Sequence, residues 1–424
     1  MLLTFAVMIT IKAFKALRPT PENVGKIAAK PYDVLNSEEA RVETLDNPLS
    51  FLYVSKPEIN FPKGIDMYSD EVYAKGKEKF DELRAKGHLI REATPCLYIY
   101  SLTMKGRTQT GLVCTSSVED YLADKIKKHE FTLPEKENDR IRHMYTKKAQ
   151  PGMVFLSYKQ NEKIDSLIQS QIDVIPPLYD FVDESGVHHV VRKIEDADTI
   201  ATIEDIFHQE VPASYIADGH HRAAASAKVG LRLREEHPLN QSDAPYNYFL
   251  SCLFPHNQLY IMDYNRVIRG LHGYNYEQLL QAIGRILAIK QTNTAPIFPS
   301  RKGEISMYLN HTWYLLQIPQ GIADNEDAVA RLDISLFTKN ILEPILGIEN
   351  QRTDKRIDFV GGIRGLSALQ ERVDSGERDV AFAFYPVSMN ELMSVADAAK
   401  IMPPKSTWFE PKLKSGLLIH LLDE

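Results

Sequence analysis

Residues 214–222 read Ser-Tyr-Ile-Ala-Asp-Gly-His-His-Arg. Ser214 to Ala217 has the short apolar character of a buried strand. Beyond Asp218-Gly219 the sequence turns alanine-rich and predicts a helix to about Glu236. A strand that runs straight into a helix carries a physical consequence. The first helical turn has unpaired N–H groups and a partial positive charge, so it attracts anions. Gly219 permits close backbone approach. His220, His221 and Arg222 add side-chain donors, and Asp218 offers a hard oxygen ligand suited to Mg²⁺. The alternative is an aspartate helix cap followed by two surface histidines. Five consecutive polar or glycine residues at such a junction favour the functional reading, with a phosphoryl group as the anion.

Upstream, Leu97–Met104 and Arg107–Thr115 are β-rich and joined at Lys105-Gly106, a hairpin. Ser117 with Asp120 predicts a helix start leading through 121–128 to His129-Glu130. Pro134 to Thr146 is charged and helical in pattern, as is 69–87. Phe51–Ser55 reads as a buried strand, Met153–Tyr158 as a strand, and 177–192 as a second hairpin. Residues 199–209 read as a helix. Met1–Met8 reads as the start of a strand rather than a signal peptide. Downstream, Leu259–Asp263 reads as a strand and Tyr276–Ile289 as an amphipathic helix. Strands are expected on both sides of Asn310-His311, at 357–360, 380–385 and 417–422, with a helix over 333–345. Strands and helices intermix without a regular βαβ rhythm, which predicts an α+β fold with mixed sheets.

The remaining composition narrows the function. The 424 residues call for two or three domains. A net charge of -7 argues against nucleic-acid binding through bulk electrostatics. The three cysteines form no CxxC pair, so buried thiols in a reducing compartment are expected. No apolar run approaches the roughly 20 residues of a membrane span, and a cytoplasmic address with no membrane partner is expected. The chain has neither Gly-x-x-x-x-Gly-Lys-Ser/Thr nor Gly-x-Gly-x-x-Gly.

The His129-Glu130 pair followed by Asp218-Gly219-His220-His221-Arg222 resembles the free-serine kinases of the ParB/sulfiredoxin superfamily. The whole chain is also similar to a widespread bacterial family long described only as a domain of unknown function. Pro31-Tyr32-Asp33-Val34, His129-Glu130, Ile216 to Arg222 and Met402 to Leu413 carry that likeness. It looks like the diphosphate-dependent serine kinases assigned there. The resemblance implies a ParB/sulfiredoxin-like phosphate-binding core, residues 96–270, between an N-terminal α/β segment, 1–95, and a C-terminal α+β domain, 271–424. It implies phosphoryl transfer from diphosphate to free L-serine with Mg²⁺. Glu130 is then the base, Asp218 the metal ligand, and Asp218 and His221 further catalytic groups. Gly219, His220, His221 and Arg222 grip phosphate. A sulfiredoxin-like reductase would need a cysteine in this turn, which has none.

Other residues join by type and position. Gly361-Gly362-Ile363-Arg364-Gly365 is a plausible anion nest with Arg364 as donor. Met402 to Lys412 holds three prolines that stiffen a loop bearing Lys405, Ser406, Thr407 and Lys412 as phosphate donors. Trp408, with Tyr32, Asp33, His129 and Thr132, is a candidate substrate contact. A tight turn, an anchoring tryptophan and a plain structural turn at Tyr32-Asp33 are the respective alternatives. A nucleotide (ADP or ATP) donor, or a ParB-like nucleotide-binding DNA regulator, remains open beside the diphosphate kinase. The oligomeric state is not readable.

Overall fold

The computed structural model describes residues 8–238, 243–323 and 326–423. The expected strand over Met1–Met8 lies, but for Met8, outside them. Two compact units divide the chain. The first comprises residues 1–259 and 411–424, the second 260–410. The fold is α+β with mixed sheets.

The first unit is built on a nine-stranded sheet. Its strands are β1 (Ile11–Lys12), β2 (Leu97–Met104), β3 (Arg107–Ser117), β4 (Ile126–Lys127), β5 (Val154–Tyr158), β6 (Tyr179–Val182), β7 (His188–Ile194), β8 (Ser214–Asp218) and β9 (Tyr248–Pro255). They lie in the order β4-β8-β5-β9-β3-β2-β7-β6, with β1 paired to β3. The pairs β4·β8 and β5·β9 are parallel and the others antiparallel. β1, from the 1–95 segment, therefore belongs to the same sheet as the hairpin β2-β3.

The five longest helices of this unit among the described residues are α1 (Asp70–Ala85), α2 (Pro134–Lys147), α3 (Glu162–Val174), α4 (Ala197–Glu210) and α5 (His220–Glu236). Ile216 on β8 and Ala223 and Ala227 on α5 share one buried cluster with Leu97, Leu112 and Leu156. The small alanines let α5 lie close on the sheet, and that closeness sets where its first turn points.

Three expectations are corrected. Phe51–Ser55 is not a strand: Leu52–Ser55 forms a single helical turn. Phe51, Leu52 and Val54 are fully buried, and Phe51 meets Phe80 edge-on. A short apolar run does not distinguish a strand from a buried turn of helix, and Pro57 prevents the turn from continuing. The helix after Ser117 ends at Leu122 rather than continuing to Lys128. Asp124 adopts a left-handed conformation (φ 56°) that stops it. Ile126–Lys127 then becomes β4, with Ile126 buried. Downstream, the helix from Tyr276 stops at Gly284, and Ala288–Asn293 is a strand. α3 was not anticipated at all.

The second unit carries a six-stranded sheet of β10 (Tyr264–Ile268), β11 (Ala288–Asn293), β12 (Glu304–Leu309), β13 (Thr312–Gln317), β14 (Ile357–Gly361) and β15 (Val380–Phe384). Their order is β11-β13-β12-β15-β10-β14, antiparallel throughout. α6 (Gly365–Asp374) contributes Leu366 and Leu369 to the core against Val267, Trp313 and Val360. Among the described residues no helix is long and apolar enough to cross a membrane. Cys96, Cys114 and Cys252 are free and buried.

Candidate functional site

The register of β4 against β8 builds the site. Ser214 pairs with Ile126 and Tyr215 with Lys127 in parallel. β4 ends at Lys127, and His129-Glu130 follow within three residues, where the His129 ring meets His220 at the start of α5. Two segments far apart in sequence therefore leave the sheet side by side, and His129-Glu130 meets the turn. The sheet, not a helix, delivers them.

Gly219 takes φ 98°, ψ 32° between strand and helix. That left-handed conformation is cheap only for glycine. With no side chain it cannot cap α5, so the first-turn N–H groups receive no side-chain oxygen from the cap position. A Cβ at 219 would stand 2.9 Å from Arg222 Nε. The guanidinium thus lies folded back over the turn. Arg222 Nη2 donates to Asp218 Oδ2 at 3.1 Å, and Nη1 donates to the Met153 carbonyl. Nε is buried with no partner.

Lys412 reaches the same carboxylate oxygen at 3.4 Å. Burial alone would raise the Asp218 pKa, but Lys412 and then Arg222 hold the carboxyl far below the ordinary range. Asp218 is therefore ionised at any working pH. Both cations sit on Oδ2. A divalent ion would have to share this one carboxylate, since no group of three or more His, Cys, Asp or Glu side chains is placed to hold a metal among the described residues. Mg²⁺ is commonly held by one or two carboxylates together with substrate phosphates. The residues fit an ion that arrives with phosphate oxygens, with the Asp218 carboxylate as the group that would hold it.

His220 is 3% exposed and stands edge-on to His129, ring centroids 4.6 Å apart. Its Nδ1 lies 3.6 Å from Glu130 Oε2, too far for a hydrogen bond. Burial, then His129, pushes His220 well below the usual imidazole range. Burial likewise brings His129 down to about 4. Both rings are neutral at pH 7. Neither nitrogen of His129, nor Nε2 of His220, has a partner. Buried polar atoms are rarely left so, and here three gather around one turn.

His221 has a backbone partner. Its Nε2 accepts the Leu133 N–H at 3.0 Å, which places the proton on Nδ1. Thr132 donates to Glu137 at 2.8 Å. Glu130 is 44% exposed at the side chain, so solvent and a small molecule can reach it. Tyr32 lies half-buried with the Arg140 guanidinium 3.6 Å over its ring, and burial lifts its hydroxyl up to about 12. Asp33 is exposed.

The first unit therefore brings together Tyr32, His129, Glu130, Thr132, Asp218, Gly219, His220, His221 and Arg222. Lys412 was legible as a donor but not as the partner of Asp218. Arg140, His143 and Lys147 recur at three- and four-residue spacing on α2, which is the signal of one helix face.

The other candidates belong to the second unit. Trp408 donates to Glu410 Oε1 at 2.9 Å, meets Tyr264 edge-on at 5.2 Å and covers Gly361, whose Cβ would stand 3.1 Å from the indole. Beside Gly362 the space is taken by the Asp263 carboxylate, so an anion in that nest would meet a like charge. Ser406 is buried and donates to the Pro403 carbonyl at 2.7 Å. Lys405 (φ 56°) and Arg364 are exposed. Thr407 is half-buried.

Residues 11–335 match the family described as "Protein of unknown function (DUF1015)". No curated protein matches the chain. Among solved structures it is similar to a mutant free serine kinase in complex with AMP, at 12% identity. That match covers 72% of this chain and 92% of the other, with a TM-score of 0.34. SbnI with a C-terminal truncation, from Staphylococcus aureus, shows 12% identity over 70% of this chain and 82% of its own, with a TM-score of 0.36. A conserved hypothetical protein from Pyrococcus furiosus shows 13% identity over 72% and 93%, with a TM-score of 0.31.

Proposed function

We infer that this chain, which belongs to the DUF1015 family, is a small-molecule kinase that moves a phosphoryl group from diphosphate to the hydroxyl of free L-serine. The observation that carries the reading is the turn at 218–222. A glycine-opened helix N-terminus stands there beside a buried arginine, with a reachable carboxylate, Glu130, on the adjoining strand end. Phosphoryl transfer needs chiefly positioning and charge stabilisation, and the turn offers both.

In the proposed step the serine Oγ forms a bond to phosphorus while the bridging P–O bond of diphosphate breaks, releasing orthophosphate. The hydroxyl proton goes to Glu130. The first-turn N–H groups of α5 and Arg222 stabilise charge on the transferring oxygens. His220 and His129, both neutral, accept or donate hydrogen bonds without adding repulsion to an incoming serine ammonium. His221 is fixed as the Nδ1–H tautomer and can donate to a phosphate oxygen. Asp218 would hold Mg²⁺, which would offset the charge of the diphosphate.

The test is phosphoserine formation by the purified protein with Mg²⁺ and L-serine, run with diphosphate, ADP, ATP and no donor. Product with diphosphate alone is expected. Product with a nucleotide alone would replace the donor. No product with any donor would end the serine-kinase reading.

A further inference from the structure

A second set of basic side chains lies beside the turn and has no part in the step above. Arg140, His143 and Lys147 project from one face of α2, which packs on α5. Together with Tyr32, Gly152 and Arg222 they line a cavity of about 40 Å³ within the first unit. One water needs roughly 10–15 Å³ on that measure, so the space suits a few waters or one small tetrahedral ion.

The charges around it are out of balance. Arg140 is paired with Asp139, which also accepts the Tyr73 hydroxyl at 2.7 Å. Arg222 shares Asp218 with Lys412. Lys147 is different. It is 6% exposed, its hydrogen-bond partner is His143 Nδ1 at 2.8 Å, and no carboxylate of the described residues lies within 4.0 Å of it. An ammonium buried without a counter-ion is costly. Burial, then Arg140, draws Lys147 down to about 7. His143 is also pushed well down by burial and by Lys147, so it accepts from the ammonium and adds no charge. Ser415, at the rim, adds a hydroxyl.

We propose that this cavity is a binding site for one phosphoryl-type oxyanion, with Lys147 and Arg140 as its counter-charges and Arg222 shared with the turn. The inference rests on the phosphoryl-transfer reading only for where such an anion comes from, a diphosphate donor or free orthophosphate. The guanidinium of Arg222 then touches both sites, so an anion held here stands next to the transferring group. A phosphoryl group is favoured over a carboxylate because three cationic side chains on two helices, Arg140 and Lys147 on α2 and Arg222 on α5, suit a multiply charged ion.

Two variants test this. Lys147→Met removes the unpaired charge. Gly152→Val fills the space and leaves every charge in place; a Cβ at 152 meets its nearest neighbours, Ser415 Oγ and Arg222 Cδ, at an ordinary 3.5 and 3.6 Å. Calorimetric titration of the full chain with inorganic phosphate, diphosphate and acetate is the measurement. The expected result is a phosphate site in the wild type that is weakened at least tenfold in both variants, with acetate binding far more weakly. Titrating diphosphate after saturation with orthophosphate separates the two sources, because a donor that spans both sites competes. Phosphate binding of equal affinity and stoichiometry in either folded variant overturns the proposal, as does no phosphate binding by the wild type or a preference for acetate. Failure of serine phosphorylation with phosphate binding intact would count against the kinase reading alone.

Discussion

Gly219 and Arg222 are in contact across one turn of helix: a Cβ on Gly219 would come within 2.9 Å of Arg222 Nε and 3.0 Å of Cζ. The backbone at Gly219 is left-handed as well, with φ 98°. Two independent constraints, steric and conformational, therefore demand glycine here. Gly219→Ala should destabilise the protein by roughly 1–3 kcal/mol through the backbone alone. It should also push the guanidinium off the turn and weaken diphosphate binding. Thermal unfolding and calorimetry would read the two effects separately. A Gly219→Ala protein with wild-type stability and affinity would show that neither constraint matters.

Glu130 is exposed, so replacing it should not disturb folding. As the base for the serine hydroxyl, Glu130→Gln should lower turnover by roughly 10²–10⁴ while diphosphate binding persists. Unchanged turnover would remove Glu130 from the mechanism.

Asp218 stands between Arg222 at 3.1 Å and Lys412 at 3.4 Å. Asp218→Asn leaves both cations without their carboxylate. Breaking a buried pair from one side costs roughly 3–5 kcal/mol, and the 25% exposure of the Asp218 side chain places this case toward the low end. The variant should melt earlier than the wild type and recover part of the loss in phosphate buffer, where an anion can take the carboxylate's place. Its turnover should respond only weakly to Mg²⁺. A normal Mg²⁺ titration would exclude Asp218 as the metal ligand.

How far the sequence could be read follows from how local each feature is. The strand–turn–helix at 214–236 was legible because apolar run, glycine and alanine-rich stretch are consecutive. The hairpins at 97–117 and 179–194 were legible for the same reason. Phe51–Ser55 was not, because burial on all sides erases the periodicity that separates helix from strand. The stretch 121–128 failed because its β4 residues are ordered by Ser214 and Tyr215, distant in the chain. The meeting of His129-Glu130 with Asp218 depends on that same parallel pairing, so the likeness to a known family supplied what spacing could not. Lys147 remained invisible as a site because its distinction is the absence of a carboxylate beside it, which only packing determines.

Asp333, in the second unit, gives a stability prediction that does not involve the site. It is 9% exposed and accepts the Gly303 N–H at 2.7 Å. Burial pushes its carboxyl up from 3.8 to about 6. Between those values the folded state holds a proton that the unfolded chain has released. The stabilisation this brings is complete below pH 3.8 and is lost as pH rises to about 6, beyond which burying the charge is a constant penalty. Over that window the loss is on the order of 3 kcal/mol, at about 1.4 kcal/mol per pH unit. Asn cannot ionise yet keeps an oxygen for the Gly303 N–H. Asp333→Asn should therefore match the wild type near pH 4 and become progressively more stable than it up to pH 6–7. Urea unfolding of both proteins at pH 4, 5, 6 and 7 measures this directly. A stability difference that does not change across the series would mean that Asp333 ionises in the folded protein as readily as in the unfolded chain.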